Sequence, residues 1–195
     1  MSAEPPPDTG RRSDAQRNRA RILDAARLVF TAPADAGADD IGTVPEQSMA
    51  EIARRAGVGR GTLYRNFPTR RDLLEALFVN EVEALIAVAI PSADDPGGAL
   101  LDWLHRFAAF EDNKHAIAGE LLEYDDSSKP MFSSSRQRVI AAGEPLLTAA
   151  QRAGDIRGDI TLAQALDLVL AVARLDREPD QIATILQVAL DGLRA

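Results

Sequence analysis

The side chains best placed for chemistry in this sequence lie in the short segment RGTLYRN, residues 60–66. Leu63 and Phe67 are predicted to face one side of this segment, which leaves Arg60, Thr62, Tyr64 and Asn66 toward the other. An arginine can donate two hydrogen bonds to O6 and N7 of guanine, and an asparagine can pair with adenine or bind a phosphate. Threonine and tyrosine hydroxyls can bind phosphate oxygens. The segment therefore predicts a helix face that contacts nucleic acid.

Two short helices joined by a three-residue turn are predicted to position this face. Ser48 is a good N-cap for the first helix, and Glu51 completes a capping-box pattern three residues later. Gly57 can adopt the left-handed conformation that ends a helix, and the second helix is predicted over Arg60–Phe67. This arrangement is the helix-turn-helix signature, in which the second helix enters the major groove of DNA. The alternative is a helical hairpin in a bundle, with arginines that are merely exposed.

The charge distribution favours a nucleic-acid partner, although the whole chain has a net charge of −8. Residues 48–71 contain six arginines and one glutamate, whereas residues 76–195 contain ten basic and nineteen acidic residues. A phosphate backbone responds to charges within a Debye length of roughly 10 Å. The basic segment therefore predicts a local DNA-binding surface on an acidic protein.

The rest of the chain is predicted to be helical, and the fold class to be all-α. Residues 1–14 are predicted to form a disordered tail, followed by a helix from Asp14 or Ala15 to Thr31 and a long loop over 32–47. A helix-turn-helix domain is predicted over 15–75 and a second helical domain over 76–195. Further helices are predicted over about 70–90, 99–111, 114–124, 136–153, 161–175 and 179–193, with a loop over 125–135.

Composition and motifs argue against most enzyme classes. The 195-residue chain has no cysteine, which excludes thiolate metal sites and cysteine nucleophiles. His105 and His115 have no zinc-motif spacing, and Ser133–Ser135 does not resemble a nucleophile elbow. No catalytic residue, metal site or cofactor is therefore predicted. The alternative function is a small α-helical enzyme or carrier whose helix-turn-helix is incidental.

The sequence also has no feature that predicts a membrane partner. It has no apolar run approaching the roughly 18 residues of a membrane span, and its proline-rich N-terminus is unlike a secretory signal. A soluble, cytoplasmic protein is therefore predicted. Its 20 arginines against two lysines are typical of a GC-rich bacterial genome.

The segment SMAEIARRAGVGRGTLYRNFPTRRDLLEAL (48–77), preceded by RARILDAARLVF (19–30), closely resembles the DNA-binding domain of the TetR family of transcriptional regulators. The resemblance implies a homodimeric regulator, most often a repressor, that binds an inverted-repeat operator in double-stranded DNA. It also implies that residues 76–195 form a regulatory and dimerisation domain. This domain would bind an unknown small-molecule effector and thereby release the DNA. The gap between Phe30 and Ile52 is about ten residues longer than is usual in the family.

The resemblance assigns DNA-binding roles by position. Ser48 matches the hydroxyl residue that caps the second helix and holds a phosphate, and Arg70 matches a phosphate-binding residue, usually lysine, at the start of the fourth helix. Asn66 replaces a histidine that is common at its position. The predicted DNA-binding residues are Ser48, Arg60, Gly61, Thr62, Tyr64, Arg65, Asn66 and Arg70.

Two further sites are predicted in the C-terminal domain. Aromatic residues near an acidic stretch predict an apolar pocket for a cationic or amphipathic ligand, with core packing as the alternative. The residues assigned to this pocket are Trp103, Phe107, Phe110, Glu120, Tyr124 and Phe132. In the resembled family two helices of each chain form a four-helix dimer interface, and the last two helices here have broad apolar stripes. The predicted interface residues are Leu166, Val169, Ile182, Leu186 and Leu190.

Overall fold

The computed structural model describes residues 9–30, 45–124 and 129–195, with side chains described except at 9–13, 45–47, 112–116, 118–120, 122–124 and 129. Within these ranges the regular structure consists of α-helices, which confirms the predicted all-α fold. No helix in the described ranges combines the length and apolar character that a bilayer crossing requires. The helices are α1 (Thr9–Phe30), α2 (Pro45–Ala56), α3 (Arg60–Asn66), α4 (Arg70–Ala87), α5 (Pro96–Tyr124), α6 (Lys129–Ala153), α7 (Leu162–Ala173) and α8 (Pro179–Asp191).

The chain divides into two compact units between Leu77 and Phe78, inside α4. In the first unit α1, α2 and α3 pack on one another. Their shared core consists of side chains that are almost completely buried: Ile22, Ala26, Ile52, Leu63 and Phe67. Removing these apolar groups from water stabilises the unit and fixes α3 relative to α1 and α2.

In the second unit α5 packs against α6 and α7, and α7 packs against α8. Its core includes the single tryptophan, Trp103, which is 1% exposed. The indole Nε1 donates a hydrogen bond to the backbone oxygen of Leu85 at 3.1 Å, and the indole stacks on the Phe107 ring with centroids 6.4 Å apart. Trp103 is therefore held by packing on one side and by a hydrogen bond to α4 on the other.

The N-terminal helices begin earlier than predicted. α1 starts at Thr9, within the predicted tail 1–14, because apolar periodicity detects only the buried part of a helix. α2 starts at Pro45, so the prediction that Ser48 is its N-cap was wrong. Proline suits the first turn, where its missing N–H removes no hydrogen bond. The residues of the predicted loop 32–47 up to position 44 lie outside the described residues.

Helices α5 and α6 are longer than predicted, whereas α7 and α8 each end two residues earlier than predicted. The predicted helices 99–111 and 114–124 form one helix, α5, because the polar segment between them contains neither proline nor glycine. The predicted loop 125–135 was wrong from Lys129 onward, where α6 begins. The hydroxyls of Ser133 and Ser134 each donate to a backbone oxygen three residues earlier at 3.0 Å, so these serines are compatible with a helix.

The start of α4 has a pair of reciprocal capping hydrogen bonds between Thr69 and Asp72. The Asp72 carboxylate accepts a hydrogen bond from the Thr69 backbone N–H at 2.9 Å, and the Asp72 N–H donates to the Thr69 hydroxyl at 3.1 Å. Two backbone donors that have no partner within the helix are thereby satisfied.

Replacing Thr69 with alanine is expected to lower the free energy of unfolding by about 1 kcal/mol, because one of these donors loses its acceptor. Urea denaturation followed by far-UV circular dichroism measures the change. Thr69→Ser keeps the hydroxyl and should remain close to the original stability. A Thr69→Ala protein as stable as Thr69→Ser would contradict the capping role.

Candidate functional site

The turn between α2 and α3 is built from backbone hydrogen bonds around Gly57. The Val58 N–H donates to the Ala53 oxygen at 3.0 Å and the Gly57 N–H to the Arg54 oxygen at 3.1 Å, which is a Schellman motif. Gly57 has a φ of 61°, and a Cβ there would lie 2.6 Å from Nη2 of Arg21. Glycine is therefore required at this position, and the predicted three-residue turn is present.

The turn presents α3 with one buried and one exposed face. Leu63 and Phe67 are almost fully buried, and the guanidinium of Arg19 lies over the Phe67 ring, 4.7 Å from its centroid. The opposite face carries Arg60, Gly61, Tyr64 and Arg65, all of which are exposed. A Cβ added at Gly61 would meet no atom within 4 Å, so this face is open to a large partner.

The arginines of the basic segment differ in whether their guanidinium groups already have hydrogen-bond or ion-pair partners. Arg54 and Arg55 both donate to the Glu51 carboxylate, at distances of 2.6–2.7 Å. These hydrogen bonds lower the pKa of Glu51 to about 2, so the carboxylate stays ionised and offsets part of their charge. Among the described residues, the Arg60 guanidinium has no hydrogen-bond or ion-pair partner. Arg60 is therefore available to a ligand without breaking an existing contact.

Three of the predicted DNA-binding residues use part of their hydrogen-bonding capacity inside α3. The Asn66 amide donates to the Thr62 backbone oxygen at 2.8 Å, and Arg65 donates to the Thr62 hydroxyl at 3.1 Å. Thr62 and Asn66 are half-buried. Their contribution at an interface would therefore be weaker than that of Arg60.

The structure brings the two predicted phosphate-binding residues together. Arg70, the first residue of α4, donates a hydrogen bond to the Ser48 hydroxyl. The Arg70 guanidinium also lies over the Phe30 ring, 4.9 Å from its centroid. Both side chains are half-buried, so the aromatic ring and the hydroxyl hold this cation at one place on the unit.

The second unit contains a cavity of about 310 Å³. Of the residues predicted to form a pocket, Phe107, Phe110 and Phe132 line it, whereas Trp103 lies behind Phe107 in the core. The side chains of Glu120 and Tyr124 lie outside the described residues. The lining is completed by residues that sequence reasoning missed: Phe78, Val82, Glu111, Ser133, Ser135, Arg136, Val139, Leu166, Leu170 and Arg174.

The predicted dimer residues lie mostly inside the chain's own core. Leu166, Val169 and Leu190 are at most 1% exposed within the second unit, so their side chains are not on its surface. Leu186 is also buried and Ile182 is partly exposed. The large apolar side chains that α7, α8 and the residues just after α7 do expose are Leu168, Leu175, Ile185 and Val188.

The described part of the chain shows no candidate metal site. None of its histidine and acidic side chains form a group of three or more that could hold a metal ion. The Nδ1 atom of His105 lies 2.9 Å from the backbone oxygen of Leu101 in its own helix.

Comparison with known proteins agrees with this arrangement. Residues 46–77 match the family described as bacterial regulatory proteins, tetR family, and residues 95–195 match the transcriptional regulator SbtR-like, C-terminal domain. The chain is 42% identical over 83 residues to the HTH-type transcriptional repressor LfrR of Mycolicibacterium smegmatis, covering 43% of this chain but only 38% of that protein. It is 28% identical over 177 residues to an uncharacterized HTH-type transcriptional regulator of Mycobacterium bovis, covering 88% and 85% of the two chains.

Two solved structures are similar over nearly the whole chain. The TetR transcription regulatory protein from Mycobacterium vanbaalenii is 32% identical, with 94% of this chain and 99% of that chain covered and a TM-score of 0.72. The TetR transcriptional regulator SCO0520 from Streptomyces coelicolor is 34% identical, with 90% and 98% covered and a TM-score of 0.70. With a helix-turn-helix head, a helical C-terminal domain and these relatives, the chain belongs to the TetR family of DNA-binding transcriptional regulators.

Proposed function

We propose that this protein is a homodimeric repressor that binds an inverted-repeat operator through α3 and releases it when a small molecule occupies the cavity. The observation that carries the DNA-binding part is the exposed polar face of α3, with an unpaired Arg60 guanidinium at its start. The relative LfrR is named a repressor and matches over 83 residues, which supports the same direction of regulation here.

The head contains residues for two kinds of DNA contact. Arg60 and Tyr64 lie on the exposed face of α3, where a recognition helix meets base edges. Arg70 and Ser48 lie together at the first turn of α4 and in α2, where they would bind a phosphate. Base contacts confer sequence preference, whereas phosphate contacts confer affinity for any sequence.

Dimerisation follows from the single recognition helix of each chain. The two half-sites of an inverted-repeat operator lie about 34 Å apart, one turn of duplex DNA, so two copies related by a twofold axis are needed to fill both. Apolar side chains are exposed on α7, on α8 and just after α7, at Leu168, Ile185, Val188 and Leu175, and they support an interface on this face. Of the residues that the sequence predicts, Ile182 is partly exposed and stays a candidate for this interface, whereas the other four are buried in the single chain.

Ligand response is supported by the lining of the cavity. Phe78 and Val82 of α4 form part of its wall, and the same helix begins at Arg70 of the head. A ligand that displaces Phe78 would therefore act on a helix that continues without a break into the DNA-binding unit. The ligand must favour one of two states of the dimer, because equal affinity for both shifts no population.

The proposed DNA contacts can be tested on an operator selected from random duplexes by the protein itself. Arg60→Ala is expected to weaken binding to this operator by about 5- to 150-fold, or 1–3 kcal/mol, and to relax the preference at one base pair. Fluorescence anisotropy of labelled duplexes at several salt concentrations measures both effects. Arg54→Ala is the matched control, because Glu51 already neutralises part of the Arg54 charge.

Arg70→Ala provides the complementary comparison. It should weaken binding to the operator and to random duplex alike, and lower the dependence of log K on log salt by about one unit. Equal losses for Arg54→Ala and Arg60→Ala on both kinds of DNA would contradict the role of α3 in sequence recognition.

A further inference from the structure

The polar groups around the cavity of the second unit are not equally available to a ligand. The Ser133 hydroxyl donates to the Pro130 backbone oxygen at 3.0 Å, and Arg136 donates to the Asp167 carboxylate at 2.8 Å. Glu111 also already has an interaction within the protein. In the described part of the chain, this leaves Ser135 and Arg174 as the polar lining side chains without a hydrogen-bond or ion-pair partner.

Ser135 is a buried residue whose hydroxyl opens into the cavity. The residue is 6% exposed. Among the described residues, every side-chain nitrogen or oxygen that is fully enclosed has a hydrogen-bond partner. The Ser135 oxygen must therefore keep some access, and the cavity is the space that Ser135 lines. A buried hydroxyl that has no hydrogen-bond partner destabilises the protein, unless water or a ligand forms a hydrogen bond with it.

Arg174 provides the charge. It forms the C-cap of α7, and its guanidinium is permanently charged and carries only hydrogen-bond donors. The free groups of the cavity are therefore a cation and a hydroxyl, and both can donate to acceptor oxygens. A cationic ligand, which the acidic residues of the sequence predict, would meet this guanidinium as a like charge.

The remaining wall is apolar and largely aromatic. The Phe78 and Phe132 rings meet edge to face with centroids 4.9 Å apart, and Phe107 and Phe110 lie 6.2 Å apart. The volume of about 310 Å³ is at the small end of the roughly 300–1,000 Å³ that ligand pockets span. The cavity therefore fits a compact molecule with an aromatic or aliphatic body.

We infer that the effector of this protein is a small monocarboxylate with an aromatic or aliphatic body. Arg174 pairs with the carboxylate, Ser135 donates to an acceptor oxygen, and the phenylalanine rings enclose the body. This inference rests on the proposed ligand response and specifies the chemical class of the ligand.

Three probes that share one body and differ in the head group test the inference. 4-Phenylbutyrate carries a carboxylate, 4-phenylbutanamide a neutral amide and 4-phenylbutylamine a cation. Isothermal titration calorimetry on the full-length protein should give the carboxylate an affinity about tenfold or more above that of the amide, because hydrogen bonds to charged partners are the stronger ones. The amine should bind more weakly than the amide.

Two variants test whether Arg174 and Ser135 cause the preference for the carboxylate probe. Arg174→Gln should remove the preference for the carboxylate over the amide while leaving the affinity for the amide unchanged. Ser135→Ala should weaken both the carboxylate and the amide, since both have an acceptor oxygen. Arg177→Gln is the matched control, because Arg177 is an exposed arginine three residues further on that does not line this cavity.

The inference is overturned if the amine binds as tightly as the carboxylate, if Arg174→Gln keeps the carboxylate preference, or if none of the three probes binds at millimolar concentration. Operator affinity and dimer mass, measured without any probe, test the proposed function separately. If the protein binds its operator specifically and is released by the amine but not by the carboxylate, it is a ligand-responsive repressor. The carboxylate assignment would then be refuted.

Discussion

Val188→Asp is expected to give a folded monomer whose affinity for the operator is lower by about 10²- to 10⁴-fold. Val188 is 69% exposed in the single chain, so the aspartate would remain hydrated when the chain is alone. In a dimer formed through α7 and α8 the same carboxylate would be buried without a partner, which is strongly unfavourable. The loss of affinity follows because a linked second head raises the overall affinity by this factor.

Light scattering and sedimentation give the mass of the variant, and fluorescence anisotropy gives its operator affinity. Ile90→Asp is the matched control, because Ile90 is 70% exposed and lies outside α7 and α8. Leu190→Asp should behave differently from both, since Leu190 is fully buried in the chain's own core and its replacement should unfold the unit. A Val188→Asp protein that remains dimeric would exclude this face as the interface.

The dimer residues show a limit of sequence reasoning that has a physical cause. Apolar periodicity on α7 and α8 identifies the face of each helix that avoids water. It cannot distinguish a face that packs on the same chain from one that packs on a second copy, because both are apolar. Leu166, Val169 and Leu190 satisfy the pattern because they fill the chain's own core.

The helix-turn-helix head could be predicted because its determinants are local. Gly57, the short turn after it and the Thr69–Asp72 cap act within a few residues along the chain. The free state of Arg60 could not be predicted, because the sequence does not show which arginines of the basic segment contact Glu51.

The cavity depends on contacts between helices that are distant in sequence. Its aromatic residues could be identified by type, but Ser135 and Arg174 come from α6 and α7. The sequence predicted a loop at residues 125–135, which removed Ser135 from any helical face. Only the packing of α6 and α7 against α5 brings these donors to the phenylalanine rings.

A large effect on stability is also expected where α6 crosses the indole of Trp103. A Cβ added at Gly143 would lie 2.5 Å from Cη2 and 2.6 Å from Cζ3 of Trp103, and 2.8 Å from Cδ2 of Leu162. Only glycine permits this approach. Trp103→Ala should therefore lower the free energy of unfolding by about 3–5 kcal/mol through the cavity it creates, and Gly143→Ala by about 1–3 kcal/mol through overpacking.

The two substitutions are expected to be strongly non-additive. Once Trp103 is alanine, the two nearest atoms that oppose a methyl group at Gly143 are gone. Gly143→Ala should then be neutral or stabilising, because the methyl group occupies part of the cavity and alanine favours a helix over glycine by about 1 kcal/mol. Urea denaturation followed by far-UV circular dichroism measures all four proteins without relying on tryptophan emission.

Gly158→Ala is the control substitution, because a Cβ there meets no atom within 4 Å and its effect should add to that of Trp103→Ala. If Trp103→Ala does not fold, Trp103→Phe removes the same outer ring atoms and should show the same coupling with a smaller magnitude. An equal loss from Gly143→Ala in both tryptophan backgrounds would mean that Leu162 limits the approach of α6. In that case the Trp103 indole would fill space beside Gly143 but would not determine the distance between α6 and the indole.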